Sequence, residues 1–193
     1  MSKQDENTAL ILSAARKLFN RYGFRKTTMD EIALSTGKGK SSLYYYFKSK
    51  EEVFAAVVEE EAAWLESKVE KTVSQHEKAS EKLRAYVQVR IESVQQMANL
   101  DVAIKDDFLS HYALIQNIRE KYYEQEIETV KNILQTGIDN ERFELKNITS
   151  TARAIVTVIK ALEIPLTFEM SNRDLKQEIN DVMDIIIYGI MKR

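Results

Sequence analysis

The residues of this chain whose types and spacing suit chemistry on a nucleic acid lie between Thr27 and Phe54. Thr28 is followed three residues later by Glu31, the pattern of a capping box that starts a helix, and Gly37 can adopt the left-handed conformation that ends one. A second short helix is predicted from about residue 40 to residue 47. Two short helices joined by a glycine-containing turn indicate a helix-turn-helix.

The second helix is predicted to present hydrogen-bond donors on its outer side. Leu43 and Phe47 are four residues apart, so both can face the first helix. The outward side chains are then Lys40, Ser41, Ser42, Tyr44 and Tyr45. Amines and hydroxyls of this kind donate to phosphates and to base edges in the major groove.

One run of residues spans the turn and both helices: Ile32-Ala33, Gly37, Ser42-Leu43-Tyr44, Tyr46-Phe47, Lys48, Lys50-Glu51-Glu52 and Phe54. This run resembles the amino-terminal signature of the TetR/AcrR family of bacterial transcriptional regulators. The resemblance covers roughly residues 8 to 56, and beyond them only the helix pattern matches. The chain departs from the family pattern at Lys38, where a small apolar residue is usual, and at Gly39, where a capping Ser or Thr is common.

The resemblance implies which residues meet DNA. Lys40 and Ser42 are the favoured readers of base edges, and Lys48 and Lys50 would touch phosphates. Thr28 either takes a phosphate at its helix start or only caps the helix, and both roles can hold together. The full set of expected DNA-binding residues is Thr28, Lys38, Lys40, Ser41, Ser42, Tyr44, Tyr45, Tyr46, Lys48 and Lys50.

Helical periodicity continues along the chain and predicts an all-α fold of about nine helices. The first runs over residues 8–22 and ends at Gly23, and a capping box of Ser49 and Glu52 opens the fourth. A polar break is expected at residues 74–80. The later helices are predicted at 83–97, 101–109, 115–138 with a stop at Gly137 and Asp139-Asn140, 148–164 and 173–191, with Pro165 either ending the eighth or kinking a longer one.

Composition and charge narrow the class of protein. The chain of 193 residues has 5 Gly, 1 Pro and no Cys, which argues against an all-β fold and excludes thiol chemistry. Residues 1–50 hold ten Lys and Arg against four Asp and Glu, while the remainder is net acidic. A chance fluctuation of surface charge is the alternative to a basic DNA-binding module. We expect domains at 1–50 and 51–193, no membrane span, and a cytoplasmic, nucleoid-associated protein.

The last two helices are apolar over more than one stripe, which predicts a homodimer contact. The family resemblance implies that these helices form the dimer interface, since paired readers match two half-sites on DNA. The alternative is that both faces belong to the core of one subunit. The expected interface residues are Ile155, Ile159, Leu162, Met183, Ile186, Ile187 and Ile190.

The resemblance also places an effector in the carboxy-terminal domain. Aromatic side chains with few polar groups suit an apolar or aromatic small molecule. The expected lining is Tyr86, Arg90, Met97, Phe108, Tyr112, Tyr123 and Phe168, and ordinary core packing is the alternative for each.

Catalytic and metal-binding patterns are not found in the sequence. His111 follows Asp107 by four residues, a spacing that could hold a metal but more often forms an exposed ion pair, and His76 lies in the polar break. No nucleophile elbow or phosphate-binding loop is present. We therefore expect no enzyme, no cofactor and no metal.

Two functions fit these patterns. The favoured one is a homodimeric regulator, a repressor that a small molecule releases from a palindromic operator in double-stranded DNA. The alternative is a helical ligand-carrying or partner-binding protein in which DNA binding is secondary.

Overall fold

The computed structural model describes residues 3–105, 112–140, 143–168 and 175–192. These ranges contain nine α-helices, a 3₁₀ helix at Val94–Met97 and a single isolated bridge between Phe143 and Met191, which confirms the all-α prediction. The helices are α1 Lys3–Lys26, α2 Met29–Ser35, α3 Lys40–Tyr46, α4 Lys50–Val73, α5 Ala79–Ser93, α6 Ala98–Lys105, α7 Ala113–Asn140, α8 Ile148–Phe168 and α9 Leu175–Ile190.

The predicted helix signals of the amino-terminal part are present, but α1 is longer than predicted, because it begins at Lys3 and continues past Gly23 to Lys26. Gly23 interrupts α1 with φ 79° and ψ 162°, a conformation that glycine adopts without steric cost. Thr28 and Glu31 form the reciprocal capping box of α2. At the start of α4, Ser49 Oγ accepts from the amide of Glu52 at 3.2 Å.

The helices of the second half differ in extent from the prediction. α7 ends at Asn140, within the predicted stop at Asp139-Asn140, but Gly137 lies inside the helix, where the Phe143 ring is so close that a side chain would not fit. Pro165 does not end α8, which continues to Phe168. α5 ends at Ser93 and residues 94–97 form a 3₁₀ helix, whereas the α-helix was expected to continue to residue 97.

The chain folds into two compact units. Unit 1 comprises residues 1–64 and 96–120, and unit 2 comprises residues 65–95 and 121–193. The divisions fall inside α4, the 3₁₀ helix and α7. The predicted domain boundary between residues 50 and 51 lies within unit 1, so α4 and α6 supply part of the packing around the helix-turn-helix.

Three phenylalanine rings form the centre of unit 1. Phe54 of α4 lies 5.1 Å from Phe19 and 4.9 Å from Phe24, measured between ring centroids, and all three side chains are buried. Such tilted and edge-on pairs contribute about 0.5–1.5 kcal/mol beyond the burial of their area. Ile32 of α2 and Leu43 of α3 are fully buried in the same unit.

A buried carboxylate joins three helices of unit 1. Glu61 of α4 is only 3% exposed, and its two oxygens accept from Asn99 Nδ2 at 2.7 Å and from the Leu100 amide at 2.8 Å. Asn99 Nδ2 also donates to Asn20 Oδ1 of α1 at 2.7 Å, and Arg16 Nε lies 3.7 Å from Glu61. Burial raises the pKa of Glu61, and the bond from Asn99 is the strongest effect opposing that rise.

The hydrogen bonds of Asn99 predict that the Asn99→Ala variant is less stable than the wild-type protein. At pH 7 the free energy of unfolding should fall by about 1–3 kcal/mol, because a buried carboxylate loses a donor. The pKa of Glu61 should rise further. A carboxyl whose pKa is raised by folding binds its proton more tightly in the folded state, so acid should reduce the cost of the substitution.

Denaturant unfolding at pH 7 and at about pH 5 measures this effect. Asn117→Ala, at an exposed asparagine of α7, is the matched control and should leave stability unchanged at both pH values. An equal loss for Asn99→Ala at the two pH values would show that Glu61 is not the group through which Asn99 acts.

Candidate nucleic-acid interface

The turn between α2 and α3 has the geometry that the glycine predicts. Gly37 has φ +67°, its amide donates to the Leu34 carbonyl at 3.1 Å, and the Lys38 amide donates to the Ala33 carbonyl at 3.2 Å. These bonds satisfy carbonyls that the end of a helix leaves open. Gly39 caps α3 with its backbone alone.

The outer face of α3 carries side chains able to donate hydrogen bonds. Lys40, Ser41, Tyr44 and Tyr45 are exposed, and their spacing places them on one side of the helix. Leu43 points to the opposite side and is fully buried, and Ser42 is half-buried. The structure therefore brings together four of the side chains predicted to face a groove.

Lys40 is held by an acid of the preceding helix. Its Nζ lies 2.7 Å from one carboxylate oxygen of Asp30 and 3.1 Å from the other. The hydrogen bond and the negative charge of Asp30 raise the pKa of Lys40 above its ordinary value. Both side chains are well exposed, so the ion pair adds little to stability.

Two other predicted DNA-binding residues are joined through α1. Asn7 Oδ1 accepts from Lys38 Nζ at 2.8 Å, and Asn7 Nδ2 donates to the Tyr46 hydroxyl at 2.8 Å. Lys38 and Tyr46 are half-buried. The Tyr45 ring meets the Tyr46 ring edge-on at 5.2 Å, so Asn7 indirectly steadies the exposed face of α3.

Thr28 is engaged at the start of α2. Its hydroxyl accepts from the Glu31 amide at 3.3 Å and donates to the Glu31 carboxylate at 2.9 Å. The Thr28 amide donates to the same carboxylate at 2.8 Å. The capping role holds, and the Glu31 carboxylate takes the position where an anion would meet this amide.

The two lysines expected at phosphates differ in their surroundings. The Lys48 side chain is exposed, whereas Lys50 Nζ donates to the Phe24 carbonyl at 2.9 Å and lies 4.3 Å from the centroid of the Phe24 ring. Lys50 thus connects the start of α4 to the end of α1. In the sequence, Lys50 is one of several basic residues of this segment. Nothing in the pattern distinguishes it as the lysine that bonds to α1.

The residues expected to line an effector pocket fall in different places. Tyr86, Arg90 and Tyr123 lie in unit 2, while Met97 and Tyr112 lie in unit 1, where the Tyr112 ring is 6.0 Å from that of Phe24. Phe108, like Asp107 and His111, lies outside the described residues, as does the side chain of Phe168.

One cluster of charges and rings in unit 2 brings together three of the predicted lining residues, Tyr86, Arg90 and Tyr123, with three that the sequence patterns missed, Tyr122, Glu126 and Lys160. Glu126 pairs with Arg90 and, at 2.8 Å, with Lys160. The Arg90 guanidinium lies 5.9 Å from the Tyr86 ring and 5.6 Å from the Tyr122 ring, and Lys160 Nζ lies 4.5 Å from the Tyr123 ring. Glu126 is four residues after Tyr122 on the buried stripe of α7, and a carboxylate in such a stripe is the signal that could have been used.

Four of the seven predicted dimer residues are buried within one subunit. Ile155, Ile159, Met183 and Ile187 are at most 5% exposed. Ile186 and Ile190 are half-buried, and the side chain of Leu162 lies outside the described residues. For these four side chains the structure favours the alternative, packing in the core of one subunit, because the periodicity of a helix does not tell which stripe faces that core.

A different apolar face of these helices is exposed. Ile185 and Tyr188 of α9 are each 73% exposed, and Val158 of α8 is 39% exposed. Side chains in the core of the subunit are much less exposed than these. Ala154 and Ala161 of α8 are exposed as well. These five residues are called the α8–α9 face below.

The described residues contain no cluster of three or more His, Asp or Glu side chains placed to hold a metal. Among the same residues, no helix is both long and apolar enough to cross a membrane.

Comparisons with known proteins agree with this geometry. A family model described as bacterial regulatory proteins of the tetR family matches residues 11–57, and one described as the carboxy-terminal region of QacR-like proteins matches residues 60–192. The chain belongs to the TetR family. It is a DNA-binding transcriptional regulator with an amino-terminal helix-turn-helix.

Individual transcriptional regulators resemble the chain over most of its length. The regulator QacR of Staphylococcus aureus is 24% identical over 186 residues, which cover 94% of this chain and 97% of QacR. A transcriptional regulator from Cytophaga hutchinsonii is 30% identical with a TM-score of 0.77, covering 95% and 98% of the two chains. FadR of Bacillus subtilis, solved with stearoyl-CoA, shares the fold at 19% identity, a TM-score of 0.78 and coverage of 94% and 98%.

The surroundings of Lys48 and Lys50 predict different effects of replacing each by alanine. Lys48→Ala should weaken binding to all DNA sequences about equally and reduce the salt slope by about one unit per lost phosphate contact. Lys50→Ala should lower the free energy of unfolding by about 1 kcal/mol, because the Phe24 carbonyl and ring lose their cation.

Salt titrations of DNA binding and denaturant unfolding, applied to both variants, separate the two roles. Each variant serves as the matched control for the other, since both remove one lysine. Equal stability losses would contradict the structural role of Lys50, and unchanged binding to random and specific DNA would contradict a phosphate contact at Lys48.

Proposed function

We propose that this TetR-family regulator is a homodimeric repressor that leaves a palindromic operator when a small molecule binds within unit 2. The observation that supports DNA recognition most directly is the exposed face of α3, which presents Lys40, Ser41, Tyr44 and Tyr45 on one side. A helix of this size fits the major groove of B-DNA.

The contacts of α3 and its neighbours support different roles for these residues in DNA binding. Ser41, Ser42 and Lys40 are the proposed base readers, and Tyr44, Tyr45 and Lys48 are proposed at or near the backbone. Lys38, Tyr46 and Lys50 are bonded within unit 1, so their proposed contribution is to hold the reading surface in place. Thr28 acts through its cap.

The α8–α9 face is the proposed contact between two copies of the chain. Burying a side chain such as Ile185 contributes about 1.5–3 kcal/mol, and its large exposure in one subunit leaves that contribution available to a partner. A two-fold dimer whose two copies of α3 lie one helical turn of DNA apart, about 34 Å, or a multiple of that distance, would match a palindromic operator.

The cluster of Arg90, Glu126 and Lys160 with its tyrosine rings is the proposed effector site. Arg90 and Glu126 are buried and Lys160 is half-buried, and because a buried ion pair contributes little to stability, its presence in the interior favours a functional role. Aromatic walls suit a ligand with an apolar or aromatic body, and the similar regulator FadR was solved with the acyl compound stearoyl-CoA. An effector that binds one conformation better would shift the population away from the DNA-bound state.

Selection of bound duplexes from a random pool tests this function. The expected result is a palindromic consensus whose half-sites are centred about 10 base pairs apart or a multiple of that distance. A small molecule that weakens binding to the selected duplex should lose its effect in the Lys160→Met variant. Recovery of no consensus, under salt conditions where the chain binds DNA, would contradict the proposal.

The exposure of Ile185 and the burial of Ile159 predict different outcomes for the same change. Ile185→Glu should yield a helical monomer, because a charge in a dry contact between subunits is opposed by several kcal/mol. Ile159→Glu should instead reduce the helical content, because that charge would enter the core of one subunit. Sedimentation and circular dichroism distinguish the two.

Leu114→Glu, at an exposed leucine of α7 in unit 1, is the control and should leave both the assembly and the helical signal unchanged. A fully dimeric Ile185→Glu protein would remove the α8–α9 face as the contact.

A further inference from the structure

Asp30 is an acidic residue in a segment that is mainly basic. Residues 27–50 contain four lysines and two acids, Asp30 and Glu31. Glu31 is committed to the capping box with Thr28. Asp30 is not needed for that cap, and it lies beside Lys40 on the side of the helix-turn-helix where α3 is exposed.

The ion pair between Asp30 and Lys40 affects the position of the Lys40 ammonium more than it affects the stability of the protein. The ammonium lies within 3.1 Å of both carboxylate oxygens, although the Asp30 and Lys40 side chains are 65% and 59% exposed. Such exposed pairs are weak because water and salt screen them. The interaction nevertheless selects where Lys40 Nζ lies before DNA arrives.

The chemistry of lysine allows it to keep Asp30 while it contacts a base. An ammonium has three donors, and two suffice for the two carboxylate oxygens. The third can donate to a base acceptor such as guanine O6 or N7. Because base edges carry no net charge, this contact does not bring two anions together.

A phosphate contact has the opposite consequence. Moving the Lys40 ammonium to a phosphate breaks its bonds to Asp30 and leaves the carboxylate near a second anion. Asp30 therefore penalises phosphate contacts of Lys40 and leaves its base contacts unopposed. A group that opposes the wrong partner more than the right one increases specificity.

We propose that Asp30 is a specificity-determining residue of DNA binding, which holds the Lys40 ammonium for a base edge and opposes its transfer to phosphates of unrelated sequences. The inference rests on the proposed entry of α3 into the major groove. Asp30 acts through Lys40 and is a positioning residue.

Asp30→Asn tests the proposal, because it removes the charge and keeps the size of the side chain. The probes are the duplex selected from a random pool and a scrambled duplex of equal length. We expect affinity for the scrambled duplex to rise roughly threefold to tenfold, with a salt slope steeper by about one unit per subunit. Affinity for the selected duplex should change less, so the specificity ratio falls.

Glu59→Gln is the matched control, since it makes the same change of charge at an exposed acid of α4. Circular dichroism and thermal melting of both variants establish that each is folded. An equal change in the specificity ratio for the two variants would overturn the proposal, because any lost acid would then have the same effect.

The double variant Asp30→Asn with Lys40→Ala isolates the coupling between the two residues. Without Lys40, removal of the Asp30 charge should leave the specificity ratio nearly unchanged. A full effect of Asp30→Asn in that background would show that the carboxylate acts by itself, which also overturns the proposal. If the wild-type protein selects no sequence, the failure lies in the proposed function.

Discussion

The reading helices of this regulator depend on burial against their neighbours, because they are too short to hold helical structure alone. α2 and α3 have seven residues each, well below the length of about 12–15 at which isolated helices become marginally stable in water. Ile32 and Leu43 are fully buried, and the rings of Phe19, Phe24 and Phe54 fill the centre of the same unit. The exposed face of α3 is available to DNA because its opposite face is held in this way.

The same dependence explains how the polar groups of unit 1 are used. Lys50 donates a hydrogen bond to the end of α1 and Lys38 donates one to Asn7, so two of the cations counted in the basic segment are bonded within the protein. Glu61 uses both carboxylate oxygens to join α4 to the start of α6. The formal charge of the segment therefore overstates the number of basic groups directed to DNA. Hydrogen bonds and ion pairs fix the orientation of the helices where apolar packing alone does not.

Unit 2 uses its charges and apolar surface differently. The buried Arg90 and Glu126 share one cluster with the half-buried Lys160 and with tyrosine rings, while Ile185 and Tyr188 remain exposed on α9. Buried ion pairs add little stability and large exposed apolar side chains lower solubility, so both features cost something in an isolated subunit. Effector binding at the first and a second copy of the chain at the other are the uses that the proposed function assigns to them.

The sequence by itself determined the fold class, the helix-turn-helix and most of the helix ends in the amino-terminal half, because these follow from local rules. Capping at Thr28 and Ser49 and the left-handed glycines Gly23 and Gly37 each involve neighbours within four residues. The place of Gly137 inside α7 could not be interpreted in this way, because it lies against the Phe143 ring, whose approach a β-carbon would block.

Only the tertiary structure decided which side of each helix is used and which charges are paired. Periodicity shows that α8 and α9 are apolar on more than one side, but Ile159 is buried and Ile185 exposed because of which helices pack against them. The partners of Lys40, Lys50 and Glu126 lie 10, 26 and 34 or more residues away along the chain, beyond the reach of any local pattern. Side chains so distant in sequence meet only when the chain folds.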